Sequence, residues 1–440
     1  MKQLVDLILR GGTVVNQDGV ASRDVAIYEG RIAGLGDLSD FSGAETLDCR
    51  GLHILPGVID SQVHLREPGA EHKEDLETGG RAAVMGGVTA VFEMPNTTPL
   101  TVTEAALANK VARARDRMYC DFAFYMGGTH ENTGELAAFE KLEGCAGIKV
   151  FMGSSTGELL VEDDQGVARI LAHTNRRAAF HSEDEYRLRE RVNKQVAGDP
   201  SSHPIWRDAE AARLCTERLI RIARKARKRI HVLHISTAEE MPLLAANKDV
   251  STVEVTPHHL TFSSLDYARL GTKIQMNPPV RGLEHQKAIW QGLQSGIVDV
   301  LGSDHAPHTL EEKAKPYPAS PSGMPGVQTL VPVMLDHVNK GHLSIERLVD
   351  LTSHGPSRIF GIARKGRIAQ GYDADFTIID LKKKRTISND WIASKCGWTP
   401  YDGMSVTGWV QGTIVRGRKV MWNDEILGQA HGQPVAFIES

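Results

Sequence analysis

The chain has 440 residues, with 51 Lys and Arg against 55 Asp and Glu and a formal net charge of −4 at pH 7. This balance argues against nucleic acid or an acidic membrane surface as a partner, and no apolar run reaches the about 20 residues that a membrane helix needs. The five cysteines form no CxxC pair, so we predict free thiols and a cytoplasmic location rather than a disulfide framework or a zinc knuckle.

The two ends of the chain resemble each other. Residues 7–15 and 413–421 each carry an apolar run, an Arg-Gly turn and a second apolar run, which predicts a β-hairpin at both ends. Because a lone hairpin is only marginally stable, we expect both termini to form one small β unit. Residues 56–364 would then be a larger inserted domain.

The middle of the chain alternates between apolar strand-like runs and helical stretches. Such runs occur at residues 52–59, 88–92, 121–125, 147–151, 178–181, 230–234, 253–256 and 298–301. Apolar residues at helical spacing predict a helix over residues 208–227. This repetition favours a closed (β/α)₈ barrel over a doubly wound open sheet, since no GxGxxG turn follows the first strand. The irregular stretch 316–326 predicts an exposed active-site loop or lid.

Polar side chains follow the predicted strands, at the end of a parallel barrel where active sites form. These residues are Asp60, His64, Asn96, Lys149, His181, His234, His258 and Asp304. One histidine at a strand end is more often a hydrogen-bonded structural residue. Four residues of the types that bind zinc, on separate strands, instead predict a metal site: His64, His181, His234 and Asp304.

Two further residues near these strand ends carry charges. Lys149 lies on a buried strand, where an unpaired charge is costly; it either reaches an acidic partner or solvent, or its amine has taken up CO₂ as a carbamate. Arg66 lies two residues after His64, so the two share a strand face, and a guanidinium there suits a forked contact with a carboxylate. His305 and His308 follow Asp304 closely, which places a candidate base and a candidate substrate donor on one turn.

Several motifs together are specific for one family. The chain carries Asp60-Ser-Gln-Val-His-Leu-Arg-Glu-Pro-Gly69, Gly147-Ile-Lys-Val-Phe151, Met276-Asn-Pro-Pro-Val-Arg281 and Ser303-Asp-His-Ala-Pro-His308. Through nearly its whole length it resembles the amidohydrolase superfamily and, within it, the class I dihydroorotases. The resemblance implies an α/β fold, with a (β/α)₈ TIM barrel (56–364) and a small β-sandwich domain from both termini (1–55 plus 365–440). It also implies reversible, metal-dependent hydrolysis of the cyclic amide of dihydroorotate to N-carbamoyl-aspartate, a step of pyrimidine biosynthesis.

The resemblance also implies a role for each matching residue. For the metals it implies His64 as a ligand of the first ion, Lys149 as the carboxylated bridging lysine, His181 and His234 as ligands of the second ion, and Asp304 as both a metal ligand and the proton carrier. For the substrate it implies Arg66, Asn96 and His308 at the carboxylate and Asn277 at the pyrimidine ring.

The chain departs from the family pattern at Gln62, where the family has a metal-binding histidine. A neutral amide oxygen is the weaker ligand, so we expect one firmly bound zinc at the second position and a weakened first site, which leaves the carboxylation of Lys149 open. Alternative activities are those of another cyclic amidase, an allantoinase or hydantoinase. A second alternative is a catalytically silent homologue that serves as a structural partner of aspartate transcarbamoylase. The resemblance further implies a homodimer.

Overall fold

The computed structural model describes residues 3–153 and 157–438. The strands, in chain order, are β1 (Gln3–Arg10), β2 (Thr13–Asn16), β3 (Gly19–Ser22), β4 (Asp24–Tyr28), β5 (Arg31–Gly36), β6 (Phe41–Asp48), β7 (His53–Pro56), β8 (Val58–Val63), β9 (Val88–Glu93), β10 (Asp121–Gly127), β11 (Cys145–Phe151), β12 (Ala178–His181), β13 (Ile230–Val232), β14 (Ser251–Val255), β15 (Val300–Leu301), β16 (Phe376–Thr386), β17 (Ser405–Val415), β18 (Arg418–Trp422) and β19 (Glu425–Ile426).

The α-helices alternate with the central strands or follow them. They are α1 (Leu76–Met85), α2 (Glu104–Ala114), α3 (Leu136–Phe139), α4 (Asp164–Ala172), α5 (Glu185–Glu190), α6 (His203–Trp206), α7 (Ala209–Ala226), α8 (Glu240–Ala245), α9 (Pro257–Thr261), α10 (Tyr267–Leu270), α11 (Leu283–Gln294), α12 (Leu310–Lys313), α13 (Leu330–Asn339), α14 (Ile345–Val349) and α15 (Gly355–Phe360). The predicted helix over residues 208–227 is α7, which Asp208 caps by accepting a hydrogen bond from the backbone N–H of Ala211. No helix in the described part of the chain is long and apolar enough to cross a membrane.

Strands β8 to β15 form one parallel sheet in which each strand pairs with the next along the chain. The sheet closes where Val63, at the end of β8, bridges the segment just after β15 at His305. The backbone N–H of His64 donates to the carbonyl of His305 across 2.6 Å at this seam. Every residue of these strands is buried, as expected of a parallel sheet covered by helices. The predicted (β/α)₈ barrel is confirmed.

The terminal strands form two further sheets. One contains β5, β4, β1 and β6, and the other runs in the order β19, β18, β17, β16, β7, β2, β3. In the second sheet β16 pairs antiparallel with β7, with Phe376 opposite Pro56, so both ends of the chain share one sheet. This confirms the predicted small sandwich built from both termini, while its boundaries at 55/56 and 364/365 remain a prediction.

The prediction of a β-hairpin at the N-terminal end is wrong. Strands β1 and β2 do not pair with each other; β1 lies in the four-stranded sheet and β2 in the seven-stranded one. Gly11, with φ of +72°, makes the turn between them, and β1 pairs with β4 and, in parallel, with β6. At the C-terminal end β17 and β18 do form a hairpin.

The apolar run 52–59 is also two strands rather than one. It breaks at Gly57, so that β7 joins the seven-stranded sheet and β8 begins the barrel. A side chain at residue 57 would collide with that of Thr89, which approaches the backbone closely here. The chain therefore changes sheets within one residue.

The stretch 316–326 is irregular, as predicted, but the expectation that it is exposed is wrong for most of it. Tyr317 and Met324 are each only 2% exposed. The Tyr317 ring packs edge-on against His203 with 5.6 Å between ring centroids. This contact fixes the loop over the carboxyl end of the barrel.

An ionic cluster joins the opposite end of the barrel to the terminal sheets. Lys365 Nζ lies 2.6 Å from Oδ2 of Asp121, the first residue of β10, and also pairs with Asp375, just before β16. Arg416, in the turn between β17 and β18, donates to the same Asp121 carboxylate across 3.0 Å. Since these charges are buried, their mutual pairing is what makes this junction tolerable.

Candidate active site at the carboxyl end of the barrel

A cavity of about 190 Å³ opens at the carboxyl ends of the barrel strands. It is lined by Gln62, His64, Arg66, Met94, Asn96, Lys149, Phe151, His181, His234, Met276, Asn277, Asp304, Ala306, His308, Ser322 and Gly323. All nine side chains to which the sequence assigned a role are in this lining. The barrel therefore brings them together, although they lie on strands and loops as far apart in sequence as His64 and His308.

His181 and His234 face each other across the cavity floor. Nδ1 of His181 lies 3.0 Å from Nε2 of His234, and both rings are almost fully buried. The other nitrogen of His181, Nε2, contacts Oε2 of Glu183 across 2.8 Å, and Arg207 donates to the same carboxylate. Arg207 and His181 hold the pKa of Glu183 well below its usual value despite the burial of that residue. An ionised Glu183 accepts the Nε2–H proton, so that the lone pair of Nδ1 points into the cavity.

Lys149 reaches the same floor from β11. Its side chain is 1% exposed, and Nζ has no hydrogen-bond partner among the described residues. Nζ lies 4.3 Å from the centroid of the Phe151 ring. Burial lowers the pKa of the amine to about 7, with Asp304 and Glu254 opposing that shift. A structural lysine in such a place would pair with an acidic side chain, but none of the described residues lies within hydrogen-bonding distance of Nζ.

The second group of polar side chains lies around Asp304. Its Oδ1 accepts a hydrogen bond from Nε2 of Gln62 across 3.1 Å and lies 3.4 Å from Nε2 of His64. Nδ1 of His64 contacts Oδ1 of Asn96 across 2.8 Å. The asparagine oxygen can only accept, so His64 carries its proton on Nδ1 and turns the lone pair of Nε2 towards Asp304.

Hydrogen-bond donors line another wall of the cavity. Arg66 donates from Nε to the carbonyl of Pro307, and its Nη2 lies 3.2 Å from Nε2 of His308. The amide oxygen of Asn277 contacts Nε2 of His203 across 2.9 Å, which leaves the amide NH₂ of Asn277 for the cavity. This wall presents positive charge and N–H groups, as an anionic ligand requires.

Three residues of this site have strained backbones. Arg66, His234 and Asp304 adopt φ values of +64°, +38° and +48°, in the left-handed region that side chains other than glycine rarely occupy. Such strain costs about 1–3 kcal/mol per residue and concentrates at functional sites, where the surrounding structure imposes it. The strain supports a functional role for all three side chains.

Within residues 3–153 and 157–438, no group of three or more His, Cys, Asp or Glu side chains is arranged to hold a metal ion. The candidate ligands instead form pairs, because the third group beside His181 and His234 is a lysine and the group beside His64 is Gln62. The pair still fits a cation: two imidazole nitrogens 3.0 Å apart match the separation of about 3.3 Å that tetrahedral zinc imposes. The partnerless Lys149 Nζ beside them would supply a third ligand as a carbamate.

Two histidines near the strand ends take no part in the cavity. His305 contacts Glu74 through Nε2 and accepts the backbone N–H of Gly326 at Nδ1, so it fixes the barrel seam instead. His258 is buried and does not line the cavity. The role of Glu183 was not predicted from the sequence, although its position two residues after His181 places both side chains on one side of the chain.

Comparisons with known proteins identify the family of the chain. The amidohydrolase family matches residues 53–420 of the chain. A dihydroorotase of Halobacterium salinarum is 36% identical over 443 residues, covering 99% of this chain and 100% of that protein. A dihydroorotase of Pyrococcus furiosus is also 36% identical, covering 98% and 96%.

Solved structures with the same architecture include cyclic amidases. An L-hydantoinase (dihydropyrimidinase) from Arthrobacter aurescens superposes with a TM-score of 0.93 at 30% identity, covering 98% of this chain and 99% of the other. A dihydropyrimidinase from Brevibacillus agri gives a TM-score of 0.89 at 27% identity, covering 97% and 96%.

Proposed function

The chain belongs to the amidohydrolase family, and from that membership we propose that it is a dihydroorotase, a cyclic amide hydrolase that interconverts dihydroorotate and N-carbamoyl-aspartate. The dihydroorotases it resembles match it over nearly their whole length, which supports transfer of their activity. In a cell this reaction would serve pyrimidine biosynthesis.

The donor wall formed by Arg66 and His308 is the observation that carries the proposal. Dihydroorotate differs from dihydrouracil, a neutral six-membered cyclic amide, by one carboxylate. An arginine whose Nη2 lies 3.2 Å from Nε2 of His308, in the same cavity as the candidate metal ligands, suits that carboxylate. Asn96 and Asn277 would complete the binding of the substrate through their amide NH₂ groups.

The ligands of one zinc ion would be His181, His234 and a carboxylated Lys149. When bound, zinc would lower the pKa of a coordinated water to about 7 and polarise the ring carbonyl. The other metal position would have only His64 and Asp304 as ligands. Gln62 replaces an imidazole there, and its amide donates a hydrogen bond to Asp304. We therefore propose one firmly bound ion.

Asp304 would move the proton. Its carboxylate is oriented by Gln62 and faces the cavity, where it would take a proton from the attacking water. The ring amide C–N bond then breaks, and Asp304 would return the proton to the departing nitrogen. Arg66 would hold the substrate carboxylate still through both steps, so that the same ring carbon faces the water.

The competing activity is that of a hydantoinase, which the overall likeness to the Arthrobacter aurescens structure favours. Hydrolysis of dihydroorotate, dihydrouracil and hydantoin by the purified zinc-loaded protein separates the two. We expect a kcat/KM for dihydroorotate at least about 100-fold above that for the neutral rings, since one forked carboxylate contact is worth about 3 kcal/mol. Equal or higher turnover of the neutral rings would assign the chain to the hydantoinases.

We propose that the protein forms a homodimer. Light scattering of the purified protein tests this directly. Association with aspartate transcarbamoylase is a further possible assembly. If the chain were a silent homologue that serves only as such a partner, the protein alone would show no hydrolysis. The nine assigned side chains that meet in the cavity support an enzyme that is active on its own.

A further inference from the structure

Lys73, which lies between β8 and α1, contacts the side of His308 that faces away from Arg66. Its Nζ lies 3.1 Å from Nδ1 of His308 and 3.1 Å from Oε1 of Glu312. The lysine side chain is 18% exposed. It therefore forms a partly shielded contact just behind a side chain that lines the cavity.

The contact with Lys73 favours one position for the proton of His308. An ammonium group has only donors, so Nδ1 accepts from it and the neutral ring holds its proton on Nε2, where the Ser322 carbonyl accepts it. The Arg66 guanidinium beside Nε2 also has only donors and opposes this arrangement. Burial, together with Arg66, Lys73 and Lys313, holds the pKa of His308 well below its usual value, so the ring stays neutral. Nε2–H then donates to the carbonyl of Ser322 across 3.1 Å.

With that tautomer, two donors lie side by side in the cavity. Nη2 of Arg66 and Nε2 of His308 are 3.2 Å apart, and neither can accept from the other. An oxygen anion placed against both would accept from Arg66 and share the Nε2–H of His308 with the Ser322 carbonyl. Gly323 leaves room at this position, because a Cβ there would come within 2.9 Å of the His308 ring.

We propose that Lys73 is a positioning residue that fixes the Nε2–H tautomer of His308 and so presents a second donor, beside Arg66, to the carboxylate of the substrate; this rests on the proposed function. Glu312 is what makes the lysine necessary. Its Oε2 lies 3.5 Å from the same Nδ1, and without Lys73 this carboxylate would draw the ring proton to Nδ1. A lone pair on Nε2 would then face the substrate carboxylate and repel it.

The test combines a spectroscopic and a kinetic measurement on Lys73→Met. In the zinc-loaded protein labelled with ¹⁵N-histidine, and with His308 assigned by comparison with His308→Gln, we expect the protonated nitrogen to change from Nε2 to Nδ1. The KM for dihydroorotate should rise about 10-fold or more while kcat changes little, because one hydrogen bond to a charged group is lost. Turnover of dihydrouracil should be unchanged.

Three variants serve as controls. Lys73→Arg retains a donor and should restore the wild-type tautomer and KM. Lys395→Met removes a lysine that is ion-paired with Asp75, outside the cavity, and should change neither. Adding Glu312→Gln to Lys73→Met should recover part of the lost affinity.

An unchanged tautomer in Lys73→Met, or a kcat loss of equal size on charged and neutral substrates, would overturn the assignment of Lys73. If the wild-type protein turns over no dihydroorotate, the proposed function fails, and the tautomer measurement alone then decides the role of Lys73.

Discussion

The side-chain amide of Gln62 donates a hydrogen bond to Oδ1 of Asp304 across 3.1 Å, and Oε1 of that amide has no partner among the described residues. His64 approaches the same carboxylate oxygen to 3.4 Å. An oxygen that accepts an amide N–H has one lone pair fewer for a cation. The hydrogen bond from Gln62 therefore uses one lone pair of Asp304 Oδ1 that a first metal ion would otherwise bind.

Replacing Gln62 by histidine should create a second metal position. The new imidazole would lie beside His64 and Asp304. The side-chain amide that now donates a hydrogen bond to Oδ1 of Asp304 would be absent. We expect elemental analysis of the purified protein to rise from one zinc per chain to two. Gln62→Asn, which keeps an amide, should stay at one; two ions in the wild-type protein would contradict the one-metal proposal.

Asp304→Asn should remove the proton carrier and leave the firmly bound metal. Loss of a general acid–base group lowers kcat by about 100- to 10,000-fold. Zinc content should stay near that of the wild-type protein, because His181 and His234 are untouched. Substantial residual turnover in this variant would assign the proton transfer to another group.

Arg66→Met tests the substrate carboxylate contact. Loss of a hydrogen bond to a charged group costs about 1.5–3 kcal/mol, so kcat/KM for dihydroorotate should fall by about 10- to 100-fold. Dihydrouracil has no carboxylate, and its slower turnover should change by much less. Steady-state kinetics on both substrates makes the comparison, and equal losses would refute the assigned role.

Glu183→Gln should weaken metal binding without touching the cavity. Glu183 fixes the orientation and tautomer of His181 through a 2.8 Å contact, and loss of such an outer partner costs about 10- to 100-fold in metal affinity. Competition with a chromogenic chelator measures that affinity. Glu185→Gln, in an exposed pair with Arg189, is the matched control. Unaltered zinc affinity in Glu183→Gln would leave this carboxylate a structural role only.

Lys365→Met should destabilise the junction between the barrel and the terminal sheets. The substitution leaves Asp121 and Asp375 buried without their shared cation, and breaking such a pair costs about 3–5 kcal/mol. Urea unfolding followed by circular dichroism should show that loss. Lys384→Met, at an exposed position of β16, should be nearly neutral.

Much of the site could be predicted because a closed barrel turns positions at strand ends into neighbours. Once the apolar runs were recognised as barrel strands, His181 and His234 had to converge. Their contacts with other parts of the chain could not be predicted in this way. Lys73 reaches His308 across 235 positions, and nothing near either residue in the sequence indicates that contact.

The prediction of an N-terminal hairpin was wrong for a related reason. Strands β1 and β2 have the local pattern of a hairpin, yet each pairs with strands elsewhere: β1 with β4 and β6, β2 with β3 and β7. Alternating apolar residues indicate which face of a strand is buried and carry no information on which sheet receives it. Pairing is decided by the whole fold.

The position of β7 beside β16 has a consequence for the order of synthesis. On a ribosome, β7 emerges more than 300 residues ahead of the strand that covers its edge. Until translation is nearly finished, that edge is open to another chain, as unpaired strand edges are prone to aggregate. We therefore expect nascent chains truncated before residue 376 to bind holdase chaperones at their N-terminal strands, even where the barrel has already formed.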